Sequence, residues 1–156
     1  MALQVWLLRH GEAVPHGSRP DFQRELTDRG AEQARAAGAA LARLGLRPSA
    51  CYASPKVRAR DTARLACEPL GVAVVEADPV AGAFGADALR DLLAPHDDDD
   101  RVLVVGHEPD LSQLVHDLTG ARVDFKKGGI AALRYDRGRS ELISLLRPVD
   151  LAAMAG

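Results

Sequence analysis

The stretch Val5-Trp6-Leu7-Leu8-Arg9-His10-Gly11-Glu12 sets an apolar run directly against an Arg-His-Gly tripeptide. Leu3, Val5, Trp6, Leu7 and Leu8 are apolar almost without a break. Such a run suits a strand buried on both faces of a sheet. The strand would deliver a guanidinium and an imidazole to its carboxyl end, where open α/β sheets bind ligands. Gly11 lets the backbone turn sharply and come close to a ligand. Arginine beside histidine at such a place is equipped to hold a phosphoryl group and attack it. The same residues also suit an ordinary strand exit, and this stretch alone leaves both readings open.

A second stretch repeats the pattern. Residues 102–105 are wholly apolar and run into Gly106-His107, after which Glu108-Pro109 starts a helix expected to reach about residue 118. A third strand, residues 50–53, leads into Ser54-Pro55, which reads as an N-cap followed by proline in the first helical position. That helix is expected over residues 55–70, ending at Gly71. Arg58 falls in its first turns, where a cation opposes the helix dipole. The placement makes sense if an anion sits there too; a plain surface arginine is the alternative.

The rest of the chain fills in an alternation of strands and helices. Residues 12–26, with Pro15, Gly17 and Pro20, read as a loop. Thr27 is an N-cap and Asp28 complements the dipole of an Ala-rich helix that runs to about residue 44 and stops at Gly45. Arg24, just ahead of that helix, either faces the strand ends or is a solvated loop arginine. Residues 72–75 form a further strand, 77–86 are Gly- and Ala-rich without a clear assignment, and 87–93 form a short helix. The acidic run 97–100 reads as a solvated loop, because adjacent carboxylates do not match the turn geometry of a calcium loop. Residues 126–129 form a turn, 130–135 and 141–146 a hairpin, and the tail after Pro148 is expected to be peripheral. Alternating strand and helix signals predict βαβ units around a central, mostly parallel sheet.

The totals bound the answer. The chain has 156 residues, which suits a single domain over 1–156, and a formal net charge of −2. Neither nucleic acid nor a membrane is indicated as a partner. The start lacks a basic n-region and no apolar run is long enough to span a bilayer, so a cytoplasmic location is expected. Cys51 and Cys67 are expected to be free thiols. No His, Cys, Asp and Glu pattern has metal-ligand spacing, so neither a metal nor another cofactor is expected.

Leu8-Arg9-His10-Gly11-Glu12, Ser54-Pro55-Lys56-Val57-Arg58-Ala59 with Thr62-Ala63 behind it, and Gly106-His107-Glu108-Pro109 together resemble the histidine phosphatase superfamily. The short length, Arg24-Glu25-Leu26-Thr27-Asp28-Arg29-Gly30 and the Lys-Gly-Gly-Ile stretch are similar to its SixA-type phosphohistidine phosphatase branch. The resemblance implies a three-layer α/β/α sandwich of phosphoglycerate mutase-like, or flavodoxin-like, architecture and a covalent phosphohistidine intermediate. It implies His10 as nucleophile, Arg9 and Arg58 as phosphoryl ligands and His107 opposite, with Arg24 a further candidate for substrate binding. Larger members draw a carboxylate proton donor from the region after the third strand. Here Glu76 and Asp78 offer no clear match, so no general acid is assigned; Asp78, before proline, reads as a turn residue. Glu12 and Glu108 are expected to orient a histidine or cap a helix.

Three readings compete. The first is a phosphatase acting on phosphohistidine in another protein. The second is a phosphatase or mutase for small phosphate esters. The third is a phosphate-binding module without turnover, which would have no need of a nucleophile at His10. Only residues 77–101 separate the strands where a substrate-enclosing insertion would sit. The site is therefore expected to be open, which suits a phosphorylated side chain.

Overall fold

The computed structural model describes residues 2–156. The apolar runs do become strands. β1 (Leu3–Arg9) and β4 (Arg101–Gly106) pair in parallel, with Leu8 opposite Val105 and Arg9 opposite Gly106. β2 (Ala50–Ala53) lies on the other side of β4, and β3 (Val74–Glu76) forms the edge beyond it. On the far side of β1 come β5 (Ile130–Tyr135) and β6 (Glu141–Leu146), each antiparallel to its neighbour. The order is β3-β2-β4-β1-β5-β6, so β5 is the one strand that runs against the rest. The hairpin and the mostly parallel sheet expected from the sequence are both present.

Alternation along each central strand feeds two cores. Leu3, Val5, Leu7, Val102 and Val104 point to one face, where they meet Leu89, Leu93, Leu111, Leu114 and Phe125. Leu8, Leu103 and Val105 point to the other, against Ala37, Leu41, Ala59, Ala63 and Leu151. Wholly burying a Val or Leu side chain contributes roughly 1.5–3 kcal/mol, and β4 buries four in a row. Helices α3 (Ala86–Leu93) and α4 (Asp110–Thr119) cover the first face. Helices α1 (Asp28–Arg43), α2 (Val57–Cys67) and α5 (Pro148–Ala155) cover the second, completing a three-layer α/β/α sandwich. Thr27 caps α1 as expected, its hydroxyl accepting from the Gly30 N–H.

Four expectations need correction. Helix α2 starts at Val57, not at Pro55, because Ser54 Oγ is drawn to His107 and accepts only the Lys56 N–H from its own turn. Helix α4 starts at Asp110, after a cis Glu108-Pro109 bond. The loop 12–26 is organised by a bridge between Ala13 and Leu26 and a 3-10 turn at Asp21–Gln23. The tail after Pro148 is not peripheral: it forms α5, packs along α1 and buries Leu151 completely. Smaller shifts move β3 to Val74–Glu76 and give the 77–86 segment a 3-10 turn at Asp78–Ala81, opened by Asp78. Cys51 and Cys67 are both buried free thiols. No helix among the described residues is long and apolar enough to cross a membrane.

Candidate functional site

The parallel register of β1 and β4 brings the two Gly- and His-containing motifs side by side. His10 N–H donates to the Gly106 carbonyl at 3.1 Å, and Ser54 N–H donates to the Val105 carbonyl at 3.1 Å. The carboxyl ends of β1, β4 and β2 therefore stop level with one another. There the rings of His10 and His107 face each other, centroids 5.2 Å apart and tilted by 56°. Arg58 enters from the first turn of α2, and Arg9 is the last residue of β1. A cavity of about 420 Å³ opens over them, with Arg9, His10, Arg24, Arg58 and His107 all in its wall. Every site residue expected from the sequence is thus brought to one place.

Hydrogen bonds fix the chemistry of each group. His10 Nδ1 lies 2.7 Å from the Gly11 carbonyl oxygen. A carbonyl can only accept, so Nδ1 carries the proton and Nε2 keeps its lone pair. Burial pushes the His10 pKa down to about 3; the Gly11 carbonyl opposes this, and His107, Arg58 and Arg9 add to it. His10 is therefore a neutral imidazole with a free Nε2 near pH 7. His107 Nε2 lies 2.7 Å from Ser54 Oγ, and burial followed by nearby Arg58 and Lys56 lowers its pKa to about 4. Ser54 Oγ accepts the Lys56 N–H and keeps a second lone pair, so the His107 tautomer decides which way its bond to Nε2 runs, and Nδ1 is the ring nitrogen left over. Among the described residues that Nδ1 has no partner.

The arginines share a pattern. Arg9 Nη1 donates to the Phe125 carbonyl at 2.8 Å, and Arg58 Nη1 donates to the Asp21 carbonyl at 2.8 Å. In both, Nε is buried and has no partner among the described residues. Arg9 is thus anchored through one Nη and Arg58 through both, its Nη2 also meeting Asp21 Oδ2 at 3.3 Å, and an anion could take up N–H groups that remain.

Glycines and one threonine hold the backbone beneath. Gly11 N–H donates to Thr62 Oγ1 at 3.0 Å, and Thr62 Oγ1 donates to the Arg58 carbonyl at 2.7 Å, tying the β1 exit to α2. Gly128 N–H is shared by the carbonyls of Arg9 and His10, so the Lys-Gly-Gly turn clasps the motif from the β5 side. A Cβ on Gly30 would lie 1.9 Å from the Glu12 carbonyl oxygen, so only glycine lets α1 begin that close.

Some assignments change with the geometry in view. Arg24 is no solvated loop arginine: it is 7% exposed, donates to the Val14 carbonyl and pairs with Asp21. Glu108 Oε1 accepts the Ser112 N–H at 2.7 Å and so caps α4, whereas Glu12 takes the Thr27 hydroxyl. Glu76 and Asp78 are exposed and outside the cavity wall. The residues of this segment that do line it are Ala81, at the end of the Asp78–Ala81 turn, and Gly82 and Ala83 after it, none of which can donate a side-chain proton. Asp21 went unnoticed in the sequence: it pairs with Arg24 at 3.1 Å, Lys56 at 3.2 Å and Arg58 at 3.3 Å. Its only signal was a carboxylate three residues ahead of Arg24. No group of three or more His, Cys, Asp or Glu among the described residues could hold a metal ion.

Comparison with known proteins agrees with this geometry. The family model of the histidine phosphatase superfamily, branch 1, matches residues 5–80, which include Arg9, His10 and Arg58. A protein of Picosynechococcus sp., itself uncharacterized, is 32% identical over 148 residues, 88% of each chain. The chain belongs to the histidine phosphatase superfamily. Among solved structures of that architecture, the protein histidine phosphatase SixA complexed with tungstate superposes with a TM-score of 0.85 at 22% identity, covering 95% of this chain and 99% of that one. A protein described as the phosphohistidine phosphatase SixA of Agrobacterium tumefaciens gives 0.80 at 26% identity, covering 95% and 99%. One described as an alpha-ribazole-5'-P phosphatase of Escherichia coli gives 0.75 at 22%, covering 95% and 98%. Solved structures with this fold thus include proteins described as a phosphohistidine phosphatase and as an alpha-ribazole-5'-P phosphatase.

Proposed function

We propose that the chain is a phosphatase that takes a phosphoryl group from phosphohistidine in another protein onto His10 and passes it to water. The observation that carries this reading is the Gly11 carbonyl on His10 Nδ1, which leaves Nε2 as the nucleophile. Phosphoryl transfer asks a protein mainly for positioning and for neutralisation of the equatorial oxygens. Arg9 and Arg58 supply planar donors for those oxygens, Arg24 adds positive charge, and the His107 imidazole borders the same space. Water then attacks the phosphorus of phospho-His10, which releases inorganic phosphate and restores the neutral imidazole.

The bare wall formed by Ala81, Gly82 and Ala83 supports the choice of substrate. An alkoxide leaves poorly without a positioned proton donor, which contributes about 10²–10⁴-fold. The imidazole of phosphohistidine is a far weaker base and can take its proton from solvent. Glu108 and Asp110 also border the cavity, but each has a carboxylate oxygen on a backbone N–H, of Ser112 and Phe84 respectively.

Two measurements test this. Brief incubation with a labelled phosphohistidine protein should give an acid-labile, base-stable phosphoenzyme that is absent from His10→Ala. Labelling of His10→Ala to the wild-type extent would sink the assignment. Purified protein assayed on phosphohistidine protein and on a panel of small esters should favour the former; preference for one small ester would replace this reading with the small-ester phosphatase or mutase.

A further inference from the structure

Three cations crowd one side of the cavity. Arg24 is 7% exposed, Arg58 is 5% exposed, and Lys56 lies beside them; all three belong to the cavity wall. Left to themselves, like charges at this spacing would splay apart, and long side chains would lose their geometry. Asp21 prevents it. Its Oδ1 accepts from Arg24 Nε at 3.1 Å, its Oδ2 meets Lys56 Nζ at 3.2 Å and Arg58 Nη2 at 3.3 Å, and its backbone carbonyl takes Arg58 Nη1 at 2.8 Å. One residue of the 3-10 turn therefore engages three cations drawn from two segments of the chain.

The placement of Asp21 is informative. It is not in the cavity wall, and its side chain is 49% exposed. Its carboxylate binds three cations of the cavity wall without belonging to that wall itself. Burial alone would raise its carboxyl pKa, but Lys56, Arg58 and Arg24 together hold it well below the usual carboxylate range, so it stays ionised. Asp21 takes one hydrogen from each Nη group of Arg58 and so fixes the plane of the guanidinium, whose second Nη hydrogens and Nε–H are not used by Asp21.

We propose that Asp21 is a positioning residue for phosphoryl transfer, a fixed counter-ion that sets the Arg58 guanidinium and keeps Arg24 and Lys56 gathered at the cavity. The inference rests on the phosphoryl-transfer reading of this site. Asp21 touches no reacting atom and acts through the arginines.

The test is Asp21→Asn, which keeps the backbone carbonyl and the side-chain shape but removes the charge. Kinetics with p-nitrophenyl phosphate and calorimetric binding of tungstate are compared with the wild type. Asp21→Asn should lower kcat/KM by about 10²-fold, the scale of a misplaced binding group. It should weaken tungstate binding, with the melting temperature little changed. Asp21→Glu should recover part of the loss. In an Arg58→Ala background, Asp21→Asn should cost much less than it does alone, because the group it positions is gone. Wild-type tungstate affinity and turnover in Asp21→Asn would overturn the proposal, and so would a loss of equal size with and without Arg58. A wild-type protein that binds tungstate but never turns over would instead overturn the phosphatase reading, leaving the binding comparison to decide Asp21.

Discussion

His10 and His107 are buried imidazoles beside two guanidinium groups, and both are held neutral. An imidazole whose folded pKa lies below its ordinary value of about 6.5 binds protons more readily in the unfolded chain. The stability gained from keeping the pair neutral is complete above about pH 6.5 and is lost as pH falls through about 4 for His107 and about 3 for His10. The denaturation midpoint should therefore fall between pH 7 and pH 4, and less steeply in His10→Gln. An identical slope in that variant would show that His10 is not among the groups that take up protons. The acid limb of kcat/KM should likewise lie well below pH 6.5 once ionisation of the substrate is accounted for. Arg58 makes a second case. Arg58→Ala should cost orders of magnitude in turnover with little change in melting temperature, and Arg58→Lys should recover only part, because an ammonium cannot reproduce a planar fork. A loss of activity that tracks unfolding would make Arg58 structural. All these residues were legible in the sequence because each follows an apolar strand. Asp21 was not, because nothing in a loop sequence marks which carboxylate will fold back onto distant cations.

Between helices, a conflict of effects can be measured. Gly38 lies within α1, where alanine would be favoured by about 1 kcal/mol on intrinsic propensity. A Cβ there would stand 2.3 Å from the Ala66 carbonyl oxygen of α2, a backbone atom that cannot swing aside. Overpacking of this kind costs about 1–3 kcal/mol or more, so the clash wins. Gly38→Ala should be destabilised, with kcat of the folded fraction retained. Gly30→Ala, which meets the Glu12 carbonyl oxygen directly behind the Arg-His-Gly turn, should lose kcat as well as stability. Equal, harmless outcomes for both would mean that the helices yield more easily than their packing implies. Boundaries of α1, β5 and β6 could be read from caps and periodicity. Those of α2 and α4 could not, since Ser54 serves His107 and Glu108 caps α4 through its side chain from the turn ahead. Helix α5 was missed because its ten-residue surroundings carry a single core residue, Leu151.

Taken together, the layers leave the cavity bounded on one side by Ala81, Gly82 and Ala83. A site without a carboxylic acid on that wall should be sensitive to its leaving group. Rates across a series of aryl and alkyl phosphates should fall steeply as leaving-group pKa rises, and Glu76→Gln and Asp78→Asn should each change phosphohistidine turnover only slightly. A flat series, or collapse in either variant, would reveal a general acid and favour the small-ester reading. The mostly parallel sheet followed from the alternation of strand and helix signals, whereas the three-layer sandwich and the joint roles of Arg9, His10, Arg58 and His107 came from the resemblance of their motifs to the superfamily. The shape of the opposite wall followed from neither, because a Gly- and Ala-rich segment gives no periodic signal.

The strand order has a consequence for how the protein comes into being. β1 and β2 are made first but share no edge; β4 is inserted between them. Until Arg101–Gly106 has entered the sheet, His10 lacks the Gly106 carbonyl that fixes its backbone, and His107 is absent from its side. Such sequence-distant pairing is slow compared with helix formation. A nascent chain would therefore carry the Arg-His-Gly motif for most of its synthesis without a pocket to use it in. On refolding, turnover should return after the helical signal, so that hydrolysis doubles as a clock for the insertion of β4.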